Sequence, residues 1–85
     1  MTQNEMIIKA KHDEAIKCIE AEYLRASSKF GKFASPYEVI GIIREEYLEL
    51  ENEVFNKKSD INHFGMRKEA IQLGAMALRI LIDCC

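Results

Sequence analysis

The last third of this sequence is apolar on almost every side of the helix that it predicts. The periodicity predicts a helix from about Phe64 or Met66 to Cys84. A helix that is apolar all round has to be buried on all sides. Two other helices from an 85-residue chain can hardly cover it, so we expect a second copy of the chain to complete the bundle. The apolar positions are Ile71, Leu73, Ala75, Ala77, Leu78, Ile80, Leu81 and Ile82.

Two predicted helices precede this one. The first runs from about Glu5 to Phe30, with apolar residues at three-to-four spacing, and ends before Gly31. The second begins with a capping box, in which Ser35 is the N-cap, Pro36 is the first helical residue and Glu38 lies three residues after Ser35. This second helix should end near Asn56.

The segment between the second and third helices is polar and predicts a loop, in which Asp60 or Asn62 caps the third helix. The apolar residues of the second helix fall on one side, which should be its core side. They are Val39, Ile40, Ile43, Tyr47, Leu50 and Val54. We therefore predict an all-α fold with one domain, residues 1–85, that forms a helical bundle by oligomerising.

Composition excludes several classes of protein. The formal net charge is −2, so no basic field indicates a nucleic-acid polymer or an anionic membrane as partner. The N-terminus lacks the pattern of a signal peptide, and no apolar run is long enough to span a bilayer. Three cysteines, two of them adjacent, do not form a disulfide framework, and they favour a cytoplasmic protein with reduced, partly buried thiols.

The second helix also carries five glutamates within nine residues. At 100° per residue, Glu46 and Glu49 lie one turn apart on the same face, beside the apolar side. On the third helix, Glu69 and Gln72 have the same spacing, so the four side chains meet if the two helices pack side by side. Asp83 would lie about 21 Å further along and cannot share an ion with them. The five glutamates are Glu45, Glu46, Glu49, Glu51 and Glu53. Ile42 is predicted to lie among the glutamates of the acidic side, and Glu51 lies apart from both sides.

Two interpretations of this acidic face stay open at the level of residue spacing. Charge runs are common on solvated helix surfaces, and this one can be such a surface. Like charges brought together between two helices, however, repel strongly unless a cation compensates them. Carboxylate oxygens suit Mg²⁺ or Mn²⁺.

The same residues carry a family resemblance. The stretches SPYEVIGIIREEYLELENEVF and RKEAIQLGAMALRILIDCC resemble the MazG-like, all-α nucleoside triphosphate pyrophosphohydrolase superfamily, above all its small, often phage-encoded members. That superfamily has an ExxE pair on one helix and an ExxD pair on the next. Glu46 and Glu49 match the first pair. Glu69 and Gln72 match the second, with glutamine in place of the usual aspartate.

The resemblance implies a homo-oligomeric enzyme that hydrolyses nucleoside triphosphates to monophosphate and pyrophosphate with Mg²⁺. It implies that Glu46, Glu49, Glu69 and Gln72 hold the metal, and that Glu45 acts with Glu46 and Glu49 in catalysis. Family members continue into another helix and a basic segment, whereas this chain ends at Cys85. We therefore expect other cationic residues of this sequence to contact the phosphates, and the candidates are Lys29, Lys32, Lys68 and Arg79.

Two other functions remain alternatives. Because Gln72 supplies no charge, the chain can be a non-catalytic MazG-like protein that keeps the fold for assembly or nucleotide binding. It can also be a plain helical interaction module with a solvated acidic face. Metal binding separates this last function from the other two, and turnover separates the enzyme from its non-catalytic relative.

Overall fold

The computed structural model of the chain describes residues 1–56 and 64–85 and contains no strand there. It has three α-helices, α1 (Gln3–Phe30), α2 (Pro36–Phe55) and α3 (Phe64–Asp83). This confirms the all-α prediction, and the helix ends lie within two residues of the predicted ones. The predicted caps Asp60 and Asn62 lie outside the described residues.

Side-chain caps fix where the first two helices begin. The hydroxyl of Thr2 accepts a hydrogen bond from the backbone N–H of Glu5 at 3.1 Å, which starts α1. The hydroxyl of Ser35 accepts from the N–H of Glu38 at 3.3 Å. The Glu38 carboxylate accepts in return from the N–H of Ala34 at 2.8 Å, one residue before the N-cap. The capping box predicted for α2 is thus present, with its return bond displaced by one residue.

The turn between α1 and α2 is held down by α3. Gly31 ends α1 with φ of 73°, a conformation that glycine adopts without steric cost. Arg79 of α3 is 3% exposed and donates from Nη2 to the Gly31 carbonyl oxygen at 2.7 Å. Its guanidinium also lies 4.2 Å from the centre of the Phe33 ring. Asp83 accepts a 3.4 Å hydrogen bond from the N–H of Phe33, so the start and the middle of this turn are tied to α3.

Helix α3 is the central element. Helices α1 and α2 each pack along it, and within the described ranges they do not pack against each other. The close approach of α1 depends on Gly74, because a Cβ there would lie 3.0 Å from Cδ1 of Ile19. The two outer helices therefore form the walls of a groove whose floor is α3.

The core is small, and it corrects the predicted core side of α2. Val39 is buried as predicted, but Ile40, Tyr47 and Val54 are 59%, 54% and 51% exposed rather than turned to the core. Ile42, predicted to lie among the glutamates, packs against the core instead. The reason is that α2 contacts α3 through the border between its apolar and acidic sides. The core consists of Phe33, Val39 and Met76, with Ile42, Ile43, Ile80 and Cys84 against them.

All three cysteines are free thiols, and Cys18 and Cys84 are partly buried. Cys18 lies 3.3 Å from Nη2 of Arg67, which also pairs with Glu14 and so ties α3 to α1.

Candidate functional site

Three glutamates converge where α2 packs against α3. Glu46 and Glu49 come from α2 and Glu69 from α3, and one carboxylate oxygen of each lies within 4.8 Å of the others. Glu46 and Glu69 are half-buried and Glu49 is exposed. The helix register predicted from the i, i+3 spacing is therefore the register that the two helices adopt. A single small cation can contact all three carboxylates at this separation.

Gln72 completes the group, as the spacing predicts. With its amide nitrogen turned inward, it donates to Oε2 of Glu69 at 3.0 Å and to Oε2 of Glu46 at 3.2 Å. The orientation of an amide is assigned from such hydrogen bonds. With the amide reversed, the oxygen would face the same carboxylates, which is the orientation that a shared cation requires. Gln72 can therefore stabilise the cluster with or without an ion.

The electrostatics of the cluster are those of crowded carboxylates. The pKa of Glu69 is raised to about 7, first by burial and then by a hydrogen bond with Glu49 and the negative charges of Glu49 and Glu46. The nearby charge of Lys68 acts in the opposite direction and lowers this pKa. Burial also raises the pKa of Glu46, with further contributions from Glu49, Glu22 and Glu45. With this raised pKa, the Glu69 carboxyl is protonated in a substantial fraction of molecules near neutral pH. A divalent cation would replace this proton, since metal ligands bind deprotonated.

Helix α1 contributes a carboxylate that the sequence did not single out. Glu22 lies close enough to raise the pKa of Glu46, and it forms a bidentate ion pair with Arg25. That ion pair lowers the pKa of Glu22 itself. No ExxE-type spacing marks Glu22, because its proximity depends on how α1 crosses α3. In the sequence, Glu22 is one of several charged residues between the apolar positions of the first helix.

The groove between α1 and α2 opens beside the acidic cluster and has a volume of about 520 Å³. Its walls include Glu45 and Glu46, and Gln72 lies in its floor. Of the predicted phosphate-binding residues, Lys32 and Arg79 line this groove. Lys29 instead lies over the ring of Phe30, 5.2 Å from its centre.

Arg79 is the unusual cation of this group. Two of its nitrogens contact the Gly31 carbonyl oxygen and the Met76 sulfur, whereas its buried Nε has no hydrogen-bond partner among the described residues. The ion pairs of the described residues also include none with Arg79. A buried guanidinium without a carboxylate partner is costly, and an anionic ligand in the groove would compensate it.

Two further acidic residues lie apart from the cluster. The Glu53 carboxylate occupies the space beside Gly65, near the N-terminus of α3, where a Cβ at Gly65 would overlap it. The partial positive charge of that helix end favours a carboxylate there. Asp83 binds the turn at Phe33, which agrees with the prediction that it cannot share the ion.

Comparison with known proteins gave no match to a family model, a curated protein or a solved structure. Among the described residues, no helix is both long and apolar enough to cross a membrane. The site therefore has to be interpreted from its own chemistry. It combines an oxygen-rich cluster suited to a hard divalent cation with a groove lined by three cationic side chains, Arg25, Lys32 and Arg79, and by four glutamates.

Proposed function

We propose that the chain is a MazG-like, Mg²⁺-dependent hydrolase that converts a nucleoside triphosphate to its monophosphate and pyrophosphate. The observation that carries this proposal is the convergence of Glu46, Glu49 and Glu69 from two helices, within 4.8 Å, at the edge of a groove lined by three cationic and four acidic side chains. The resemblance of these residues to the ExxE and ExxD pairs of that superfamily supports the same activity.

The donor set fits a hard divalent cation. Its members are carboxylate oxygens and one amide, which are the ligands that Mg²⁺ and Mn²⁺ accept. Glu46, Glu49, Glu69 and Gln72 would hold the ion. When bound, the ion would neutralise phosphate charge and increase the acidity of a coordinated water.

The rest of the chemistry belongs to groups that line the groove. Lys32 and Arg79 would contact the phosphates, Arg79 through a buried guanidinium that has no carboxylate partner. Glu45 is exposed on the same wall, one residue before Glu46, and would orient the attacking water. The volume of about 520 Å³ lies in the range of small-molecule sites.

The proposal includes a cytoplasmic location, where nucleoside triphosphates occur and thiols remain reduced. It also includes a homo-oligomer, in which a second copy would cover the exposed apolar residues of α3.

The alternative is a non-catalytic relative with the same fold, and Gln72 is the observation that favours it. Its amide can satisfy Glu46 and Glu69 by hydrogen bonds alone, without an ion. A wholly solvated acidic face, the third function considered, is opposed by the half-buried state of Glu46 and Glu69 and by the raised pKa of both.

The test is a pyrophosphate-release assay with a panel of ribo- and deoxynucleoside triphosphates and Mg²⁺ or Mn²⁺. Glu49→Gln removes one negative charge from the cluster at constant shape, so we expect it to abolish turnover, as should Glu46→Gln. The size of the oligomer should not change in either variant.

The matched control is Glu51→Gln, which makes the same change on α2 outside the cluster and should keep full activity. Full activity in Glu49→Gln would contradict the proposed active site. A protein that binds Mg²⁺ but turns over no substrate in the panel would support the non-catalytic alternative.

A further inference from the structure

A second cavity, of about 410 Å³, lies between α1 and the first turns of α3. Arg25 lines it from α1, and Arg67 and Lys68 line it from α3. It adjoins the groove between α1 and α2, because Arg25 and Gln72 line both cavities. The three clustered glutamates are not among the described residues of its lining. We call this cavity the cationic pocket, and no step of the proposed hydrolysis uses it.

The lining of the cationic pocket carries an excess of two positive charges. Arg25, Arg67 and Lys68 contribute three positive charges, and among the described lining residues only Glu22 contributes a negative one. The groove between α1 and α2 has the opposite balance, with three cationic side chains against four glutamates. An anion that binds without a metal ion should therefore prefer the cationic pocket to the groove.

The three cations of the pocket differ in how far their charges are already compensated. Arg25 forms the bidentate ion pair with Glu22. Arg67 pairs with Glu14 at 2.8 Å, but the two side chains are 50% and 68% exposed, and an ion pair in water contributes little. Lys68 forms no ion pair within the part of the chain that the structure describes. Arg67 and Lys68 therefore supply most of the charge that an anion would meet.

The cationic pocket also has an apolar part, formed by Phe64 and Ile71. The Phe64 side chain is 66% exposed, and Ile71 is half-buried. An aromatic ring and a guanidinium plane each offer a flat surface on which the ring of a ligand can stack. The volume of about 410 Å³ lies in the range of small-molecule sites. A ligand that fits this lining has a flat apolar body and an anionic group.

We propose that the cationic pocket binds a small phosphate monoester with an aromatic or heterocyclic ring, and that it does so without a metal ion. A phosphate monoester carries roughly 1.5 to 2 negative charges near neutral pH, which matches the excess positive charge of the lining. Its three terminal oxygens let Arg67 and Lys68 bind the same group, and the ring would lie against Phe64. This inference does not depend on the proposed hydrolysis.

The experiment titrates the full chain with phenyl phosphate in the presence of a chelator and measures the Kd by calorimetry. Binding should be saturable, with one site per chain. Inorganic phosphate has no ring and phenol has no phosphate, so each should bind about tenfold more weakly or worse. Added salt should weaken the binding of phenyl phosphate, because it screens exposed charges such as that of Lys68.

Three variants locate the binding site. Lys68→Gln removes one positive charge from the pocket and should weaken the binding of phenyl phosphate about tenfold. Phe64→Leu keeps an apolar side chain without the ring, so it should weaken phenyl phosphate but leave inorganic phosphate unchanged. Lys32→Gln is the matched control, because it removes the same charge from the groove and leaves the lining of the pocket intact. It should bind phenyl phosphate as the wild type does.

Two results would overturn the proposal: no saturable binding by the wild type, or an equal loss in Lys32→Gln and Lys68→Gln. If Lys68→Gln does not fold, Phe64→Leu decides. Loss of the preference for phenyl phosphate over inorganic phosphate then supports the pocket, and a retained preference overturns it. Because the chelator removes divalent cations, failure of the pyrophosphate-release assay and failure of this titration are independent results.

Discussion

Gln72 is the residue on which the chemistry of the site depends most. It occupies the position where the resembling family has an aspartate, and its amide lies 3.0 and 3.2 Å from the carboxylates of Glu69 and Glu46. It reduces the repulsion within the cluster, because an amide adds no charge and can donate hydrogen bonds. The same neutrality should weaken the hold on a divalent cation, whose affinity increases with the charge of its ligands.

Restoring the carboxylate should reverse this balance. We expect Gln72→Asp to bind Mg²⁺ more tightly, on the order of tenfold, and to be less stable than the wild type without the ion. Calorimetric titration with Mg²⁺, together with thermal melts in chelator, measures both effects. Gln3→Asp adds the same charge at the first residue of α1, where the helix N-terminus favours a carboxylate, so it should leave the Mg²⁺ affinity unchanged and should not destabilise the protein. Unchanged affinity in Gln72→Asp would argue against an ion at this position.

At the scale of the helix, α2 depends on its N-terminal cap for its start. Ser35 and Glu38 satisfy two backbone N–H groups there, and the turn before them is tied to α3 by Arg79 and Asp83. The start of α2 sets the register of the helix against α3. The cap therefore helps to place Glu46 and Glu49 opposite Glu69.

Removing the cap should weaken the fold measurably. Ser35→Ala leaves the N–H of Glu38 without its acceptor, and we expect a loss of about 1 kcal/mol in the free energy of unfolding. Urea denaturation followed by circular dichroism measures this loss. Ser28→Ala, at an exposed site inside α1, should be neutral or slightly stabilising, because alanine is the better helix former. Equal effects of the two changes would mean that the cap contributes little.

The whole molecule is a flat arrangement of helices around one central element. Its dimensions are 44 × 35 × 18 Å, and its two large sides differ in chemistry. One side holds the acidic cluster and the groove of mixed charge, and the other exposes apolar side chains of α2 and α3, among them Ile40, Tyr47 and Leu81.

Stability of the whole molecule should depend on pH through Glu69. Its pKa is raised from 4.5 to about 7 in the folded protein, so the folded state binds more protons than the unfolded state between these values. The free energy of unfolding should therefore fall as the pH rises from about 4.5 to about 7, and this contribution stays constant at higher pH. Thermal melts in chelator between pH 5 and pH 8 measure it.

Glu69→Gln should flatten this pH dependence, whereas Glu20→Gln on the opposite side of the molecule should keep it. Mg²⁺ should raise the wild-type Tm more at pH 8 than at pH 5.5, since protons compete with the ion for the cluster. If the Tm in chelator stays the same between pH 5 and pH 8 in both the wild type and Glu69→Gln, this result would contradict the raised pKa of Glu69.

The sequence by itself determined the local elements and the spacing within each helix. The capping box at Ser35, the helix ends and the pairing of Glu46 with Glu49 and of Glu69 with Gln72 all follow from interactions within a few residues. The sequence also indicated that α3 is central, because its apolar residues encircle it.

Only the tertiary structure decided which sides of the helices meet, since this depends on packing between residues distant in sequence. Periodicity predicted that Tyr47 lies in the core and Ile42 among the glutamates. Because α2 contacts α3 through the border between its apolar and acidic sides, Tyr47 is exposed and Ile42 packs against the core. The packing of α1 and α2 on α3 also brings Glu22 close to Glu46 and buries Arg79 against the turn at Gly31. Helical spacing fixes neighbours along one helix, whereas the crossing of helices fixes neighbours between them.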